Sequence, residues 1–223
     1  AHDWWTAVRA QIVHDVYAVR PVTHAVQRTY EADNPAQQWQ ARFTPAGLSL
    51  TPAVLPVGEP PEAHSASRVG ADWTLGLRLL AYGAGDGLTP VPAVVPRAEG
   101  ARVEFRHGEM ESGAPALIEW YANEARGIEH GFTLAVAPDG AGPVTLELAV
   151  AGALQPALET DGMAVELRAP DGAVRLRYAD LRVTDADGRM LPSRMVVPTG
   201  EPARLQLVVD ARGAVYPITV DPL

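Results

Sequence analysis

Residues 159–190 read ETDGMAVELRAPDGAVRLRYADLRVTDADGRM, and their punctuation decides the fold. Three Asp-Gly pairs, Asp161-Gly162, Asp171-Gly172 and Asp187-Gly188, separate short runs in which apolar and polar residues alternate. Such pairs supply the positive φ angles of tight turns, and a period of two marks a half-buried strand. The same punctuation continues outward to Asp139-Gly140 on one side and Arg212-Gly213 on the other, with gaps of 10 to 25 residues. One or two short strands fit each gap, which is the spacing of an antiparallel meander in a sandwich or a closed sheet.

Upstream the pattern is the same as far back as residue 27. Gln38–Phe43 and Gly47–Thr51 alternate across Thr44-Pro45-Ala46-Gly47, which predicts a hairpin. Asp72–Tyr82 predicts a strand with Trp73, Leu75, Leu77 and Leu79 on one face, and Arg102–His107 and Leu117–Ala122 predict two more. Pro52, Pro56, Pro60 and Pro61 mark a long loop, and Pro90–Pro96 a second connector. Only the first segment has helical period: Trp5, Val8, Ile12, Val16 and Val19 form one stripe, with Asp3 as N-cap and Pro21 as stop. The expected fold is all-β: an antiparallel β-sandwich, up to the size of a supersandwich, preceded by one amphipathic helix. Residues 1–26 are expected to form the helix or arm, and 27–223 the β-domain, with an internal boundary near 138–143. The helix either packs on its own domain or serves as a docking arm, for which Trp4, Trp5 and Tyr17 are the partner-binding candidates.

The 223 residues carry 18 Lys+Arg against 27 Asp+Glu, a formal charge of -9, which disfavours nucleic acid and anionic membrane surfaces as partners. With 47% hydrophobic and 20% charged residues the chain is a folded domain rather than a disordered tail. No apolar run reaches the roughly 18 residues of a membrane span. All 18 basic residues are Arg, Cys is absent, and Asn occurs only at positions 34 and 123. Arg without Lys, and scarce Asn, follow GC-rich codons and point to a bacterial genome. Without Cys there is no disulfide, thiolate nucleophile or Cys-ligated metal. A chain beginning at Ala1 is expected to be a mature exported protein whose signal peptide has been removed.

Four stretches together carry a resemblance: YEADNPAQQW (30–39) with FTPAG (43–47), WTLGLRLLAYG (73–83), EWYANEARGIEHGFTL (119–134) and YPITVDP (216–222). In order and spacing they resemble the N-terminal β-domain of secreted bacterial proteins that carry FG-GAP (integrin-alpha-like) or SBBP-type β-propeller repeats. The resemblance implies an exported, cell-surface or extracellular β-sandwich, placed where such a domain hands over to its repeats. It implies no catalytic residue.

For ligand chemistry the candidates are His107 and His130, with carboxylates nearby at Glu104, Glu109, Glu119 and Glu129, of which Glu119 is the site candidate, and Trp120 as a stacking face. His107 continues the apolar face of Val103 and Phe105, and His130 interrupts that of Ile128, Phe132 and Leu134. Inward-facing imidazoles either relay a proton or hydrogen-bond a sugar hydroxyl, or else are core residues bonded to a backbone carbonyl. Asp185-Ala-Asp187-Gly188 echoes the opening of a calcium loop but lacks its further acidic ligands, so an Asx-stabilised turn is expected and no metal. None of Ser49, Ser65, Ser67, Ser112 and Ser193 sits in a nucleophile elbow. Arg168, Arg175, Arg177 and Arg182 are expected on a solvated face, paired with carboxylates such as Glu166 and Asp180, the alternative being a basic strip that binds an acidic glycan. The expected function is a non-enzymatic extracellular structural or interaction domain without cofactor, engaged with a protein partner or with itself. The alternatives are a carbohydrate-binding module, which needs Trp120 or Trp39 exposed in a groove, and a sugar-active enzyme using the paired histidines.

Overall fold

The computed structural model describes residues 16–22, 28–53, 73–200 and 202–222. In chain order its first strands are β1 (Arg20–Pro21), β2 (Tyr30–Asn34), β3 (Trp39–Thr44), β4 (Gly47–Pro52), β5 (Leu75–Ala84) and β6 (Gly87–Pro90). Then come β7 (Arg97–Glu99), β8 (Arg102–Glu109), β9 (Pro115–Glu124), β10 (Gly127–Leu134), β11 (Val144–Gly152) and β12 (Gln155–Leu158). The last are β13 (Val165–Arg168), β14 (Val174–Tyr178), β15 (Arg182–Thr184), β16 (Ser193–Val196), β17 (Arg204–Val209) and β18 (Ile218–Asp221). A nine-stranded sheet runs β1-β2-β3-β4-β5-β11-β17-β16, with β6 paired to β5 off this path. A six-stranded sheet runs β15-β18-β10-β9-β8-β7, and a three-stranded sheet β12-β13-β14. Neighbouring strands in all three sheets run antiparallel, so the all-β expectation holds.

The hairpin across Thr44–Gly47 forms as expected, with Phe43 opposite Leu48. Gly47 has φ +105°, and a Cβ there would lie 2.2 Å from the Leu77 carbonyl oxygen, so no other residue lets β4 start this close to β5. All five X-Gly pairs adopt positive φ at the glycine. Only Asp161-Gly162 and Asp171-Gly172 close hairpins between adjacent strands, β12–β13 and β13–β14. Asp139-Gly140 and Arg212-Gly213 lie in connections that leave one sheet for another, β10 to β11 and β17 to β18. A turn residue sets the local reversal. Burial of the next apolar face decides which sheet receives the following strand. Residues 138–143 are therefore a crossover: β11 lies between β5 and β17, and both large sheets contain strands from before and after it.

The inward faces of the two large sheets share one buried cluster, with Phe43, Leu77 and Leu146 from one side and Phe105, Tyr121 and Phe132 from the other. Phe43 and Tyr121 touch across the sheets, ring centroids 5.4 Å apart. Beside this apolar contact lies a polar one. Asn34 Nδ2 donates to Asn123 Oδ1 (2.9 Å) and to the Glu124 carbonyl (2.8 Å), and Asn123 Nδ2 donates to the carbonyls of Tyr17 (3.1 Å) and Asp33 (2.9 Å). Asn34 Oδ1 accepts the Gln37 N–H. The only two asparagines of the chain, 89 positions apart, are thus buried partners.

Most of the expected N-terminal helix lies outside the described residues, as do Trp4 and Trp5 and most of the loop at 52–72. Within them, Val19 N–H bonds the Gly100 carbonyl and Arg20–Pro21 pairs with Glu31 and Tyr30 of β2, so Val19 leads into a sheet edge rather than completing a helical stripe, and Pro21, the expected stop, lies in β1. Tyr17 is half-buried, its carbonyl held by Asn123.

Candidate functional site

The six-stranded sheet lays His107 on β8, Glu119 on β9 and His130 on β10, all facing inward. Glu119 lies opposite Phe105 on one neighbour and Phe132 on the other, so each histidine is its diagonal neighbour two residues along. His107 Nε2 is 3.3 Å from Glu119 Oε2, and His130 Nε2 is 3.1 Å from Oε1. The Tyr121 hydroxyl donates to the same Oε1 at 2.7 Å. A carboxylate only accepts, so both histidines present Nε2–H to it. From the third sheet the Tyr178 hydroxyl reaches His130 Nδ1 at 3.0 Å, and the Tyr121 and His130 rings stack at 4.2 Å with 9° between planes. The expected core alternative had backbone carbonyls as the histidines' partners; the partners are Glu119 and Tyr178 instead.

These groups are buried: His107 is 4% exposed, Glu119 2% and His130 2%. Burial pushes the Glu119 carboxyl up, but the hydrogen bonds of His107 and His130, the attraction of His130 and the Tyr121 hydroxyl outweigh it and hold the carboxyl at about 2. Burial first, and then the Glu119 charge, push the Tyr121 and Tyr178 hydroxyls well above the usual phenol range. The cluster is a charge-assisted knot with donors on both carboxylate oxygens.

His130 and Tyr178 also form part of the wall of a cleft of about 320 Å³ where the three sheets meet. The nine-stranded sheet contributes Trp39, Leu50 and Leu77, and the third sheet Leu167, Arg175 and Tyr178. Gln37, Arg126, Arg177 and Asp180 also line it. Gln38 (φ 58°) and Asp180 (φ 52°), the two non-glycine residues with positive φ among those described, sit beside Trp39 and within that lining respectively.

Trp120 points the opposite way from Glu119 and Tyr121, onto the outer face of the six-stranded sheet. It is 7% exposed. One ring face lies over Gly131, where a Cβ would come within 2.0 Å of Cζ2, and the Arg102 guanidinium stands 4.2 Å from the ring centroid. Neither Trp120 nor Trp39, 8% exposed, presents a bare face for a sugar. On the same outer face Glu129 and Asp221 share a side-chain hydrogen bond; burial, and for Glu129 the Asp221 charge as well, raise both carboxyls.

The Asp185 turn forms as an Asx-stabilised turn. Its Oδ1 accepts the N–H groups of Asp187 and Arg189, and its Oδ2 pairs with Arg189 Nε. Among the described residues no group of three or more His, Asp or Glu is placed to hold a metal ion. Of the Arg strip, Arg168 pairs with Glu166, Arg175 with Asp171 and Arg177 with Glu159. No helix among the described residues is long and apolar enough to cross a membrane. Comparison with protein families, with curated proteins and with solved structures finds no match for this chain.

The sequence pairs His107 with His130 and offers Glu119 among four nearby carboxylates, but gives neither Tyr121 nor Tyr178. Tyr121 was within reach, two residues beyond Glu119 on the same strand face. Tyr178 had no local signal, because it arrives from another sheet.

Proposed function

We propose that this chain is a non-enzymatic structural or interaction domain, a β-sandwich module of an exported bacterial repeat protein or a subunit of an assembly, acting outside the cell. The observation that carries the non-catalytic reading is that the His107–Glu119–His130 knot is bonded within itself, and His130, its member at the cleft wall, is engaged at both ring nitrogens by Glu119 and Tyr178. Its members are at most 4% exposed, and both carboxylate oxygens of Glu119 already accept from neighbours. A general acid or base must reach the proton it moves, directly or through one water. The sandwich arrangement is supported by the contacts of Phe43 with Tyr121 and Asn34 with Asn123 between the two large sheets. Interaction is supported by the outer strands of each sheet, which have no further strand beside them among the described residues and can accept an added one. Export and a place beside β-propeller repeats rest on the sequence resemblance. The covered Trp120 and Trp39 weigh against carbohydrate binding by stacking.

Chromogenic glycosides and esters incubated with the wild-type chain and with Glu119→Gln test this reading. Neither protein is expected to turn them over. Turnover by the wild type that Glu119→Gln abolishes, with near-UV circular dichroism unchanged, would overturn it.

A further inference from the structure

Three buried side-chain nitrogens have no hydrogen-bond partner among the described residues: Trp39 Nε1, Arg175 Nε and His107 Nδ1. Trp39 and Arg175 both line the cleft at the junction of the three sheets. Their unpaired groups are N–H donors that cannot accept. Native folds leave few buried polar groups unpaired, and those that persist call for an explanation of their own. Trp39 is 8% exposed, and its indole nitrogen is buried. Arg175 is anchored from its other end, where Nη2 donates to Asp171 Oδ2 at 2.6 Å.

The rest of the lining defines what would answer these donors. Leu50, Leu77, Ile128, Leu167 and Leu176 make the walls largely apolar. Tyr178 is engaged by His130 and Arg177 by Glu159, while Arg126 adds a cation at the cleft. A volume of about 320 Å³ lies at the small end of ligand pockets, which span roughly 300–1,000 Å³. A sugar needs many paired donors and acceptors around it. This interior is largely hydrocarbon, and among its charged groups three arginines, Arg126, Arg175 and Arg177, outnumber the single carboxylate of Asp180. Two residues of positive φ without the glycine exemption, Gln38 and Asp180, adjoin or line the cleft, where local strain most often accompanies binding.

We infer that the cleft binds a small organic acid with an apolar body, an aryl or medium-chain acyl carboxylate, whose carboxylate accepts from the unpaired N–H groups of the walls. This goes beyond the non-catalytic reading and does not depend on it.

The five tryptophans give five indole N–H signals in a ¹H–¹⁵N correlation spectrum, and loss of one in Trp39→Phe identifies Trp39. The full chain is titrated with 1-naphthoate and with octanoate. The alcohols of the same skeletons and cellobiose serve as comparisons. Expected is a saturable downfield shift of the Trp39 signal with both acids, at a Kd below about 1 mM. The Trp120 signal stays in place, and the alcohols bind more weakly. Arg175→Met should weaken the acids about tenfold, which corresponds to about 1.4 kcal/mol. Absence of a saturable Trp39 shift at several millimolar acid overturns the inference. So does an equal response to the alcohols, a response to cellobiose in place of the acids, or an Arg175→Met chain that folds and binds unchanged. The wild-type titrations are decisive even where Arg175→Met fails to fold. Turnover of glycosides or esters tests catalysis separately, so either reading can fail without the other.

Discussion

Replacing Asn123 by Ala removes the acceptor of Asn34 Nδ2 and the donors to the Tyr17 and Asp33 carbonyls, three hydrogen bonds at the edge of the two-sheet core. At about 0.5–1.5 kcal/mol net per bond the loss is roughly 2–4 kcal/mol, with groups left dry adding to it. Against a typical total of roughly 5–15 kcal/mol that is a large fraction. Urea denaturation should show it as a lower midpoint with the slope m unchanged, since the surface exposed on unfolding is the same. Two further variants separate hydrogen bonding from shape. Asn123→Asp keeps the size but turns carboxylate oxygen towards the two carbonyls, and should destabilise more than Ala at pH 7. In a cycle with Asn34→Ala, the double variant should lose about 1–2 kcal/mol less than the sum of the singles, because each single already breaks the shared bond. Singles that each cost under about 0.5 kcal/mol, or strictly additive losses, would refute the claim that this pair clamps the sheets.

The Glu119 carboxyl, held at about 2 against an ordinary 4.5, contributes stability that is complete above about pH 4.5 and is lost as pH falls towards 2. The loss is of the order of 3 kcal/mol, and a stability–pH profile of Glu119→Gln should lack this acid limb; identical limbs would sink the assignment. Glu129 and Asp221 have the opposite sign. Raised carboxyls favour the fold while protonated and lose that contribution as pH rises through their folded pKa. Glu129→Gln should therefore raise the Tm at pH 7 by a small amount, and the gain should vanish near pH 4, as thermal denaturation at both values will show. Gly131→Ala puts a methyl group into the Trp120 ring and should displace it from beneath Arg102, at about 1–3 kcal/mol. Red-shifted tryptophan emission is the readout, and an unchanged spectrum with unchanged stability would contradict the packing.

Much of the strand content was legible in the sequence because alternation and turn chemistry are local. Leu75, Leu77 and Leu79 declare a face with no knowledge of the rest of the chain, and Asp171-Gly172 declares a reversal. The inward direction of His107 and His130 followed from the same period. What they bond was not local: two diagonals of a three-strand register and a tyrosine from another sheet. The end of the N-terminal segment misled for a related reason. Val19 completes a helical stripe by spacing, yet Gly100 and β2 offer its neighbourhood backbone partners that an isolated helix end cannot match. Trp120 looked like a stacking face because its exposure could not be read without knowing that Gly131 and Arg102 lie against its ring.

The sequence by itself determined that the described chain is β-structured and where it turns, since φ preference and side-chain period act over a few residues. Only the tertiary structure decided which strands neighbour one another, that the two asparagines meet, and that three sheets enclose a donor-lined cleft. Those outcomes depend on burying faces 50 to 100 residues apart, and no local propensity encodes that pairing.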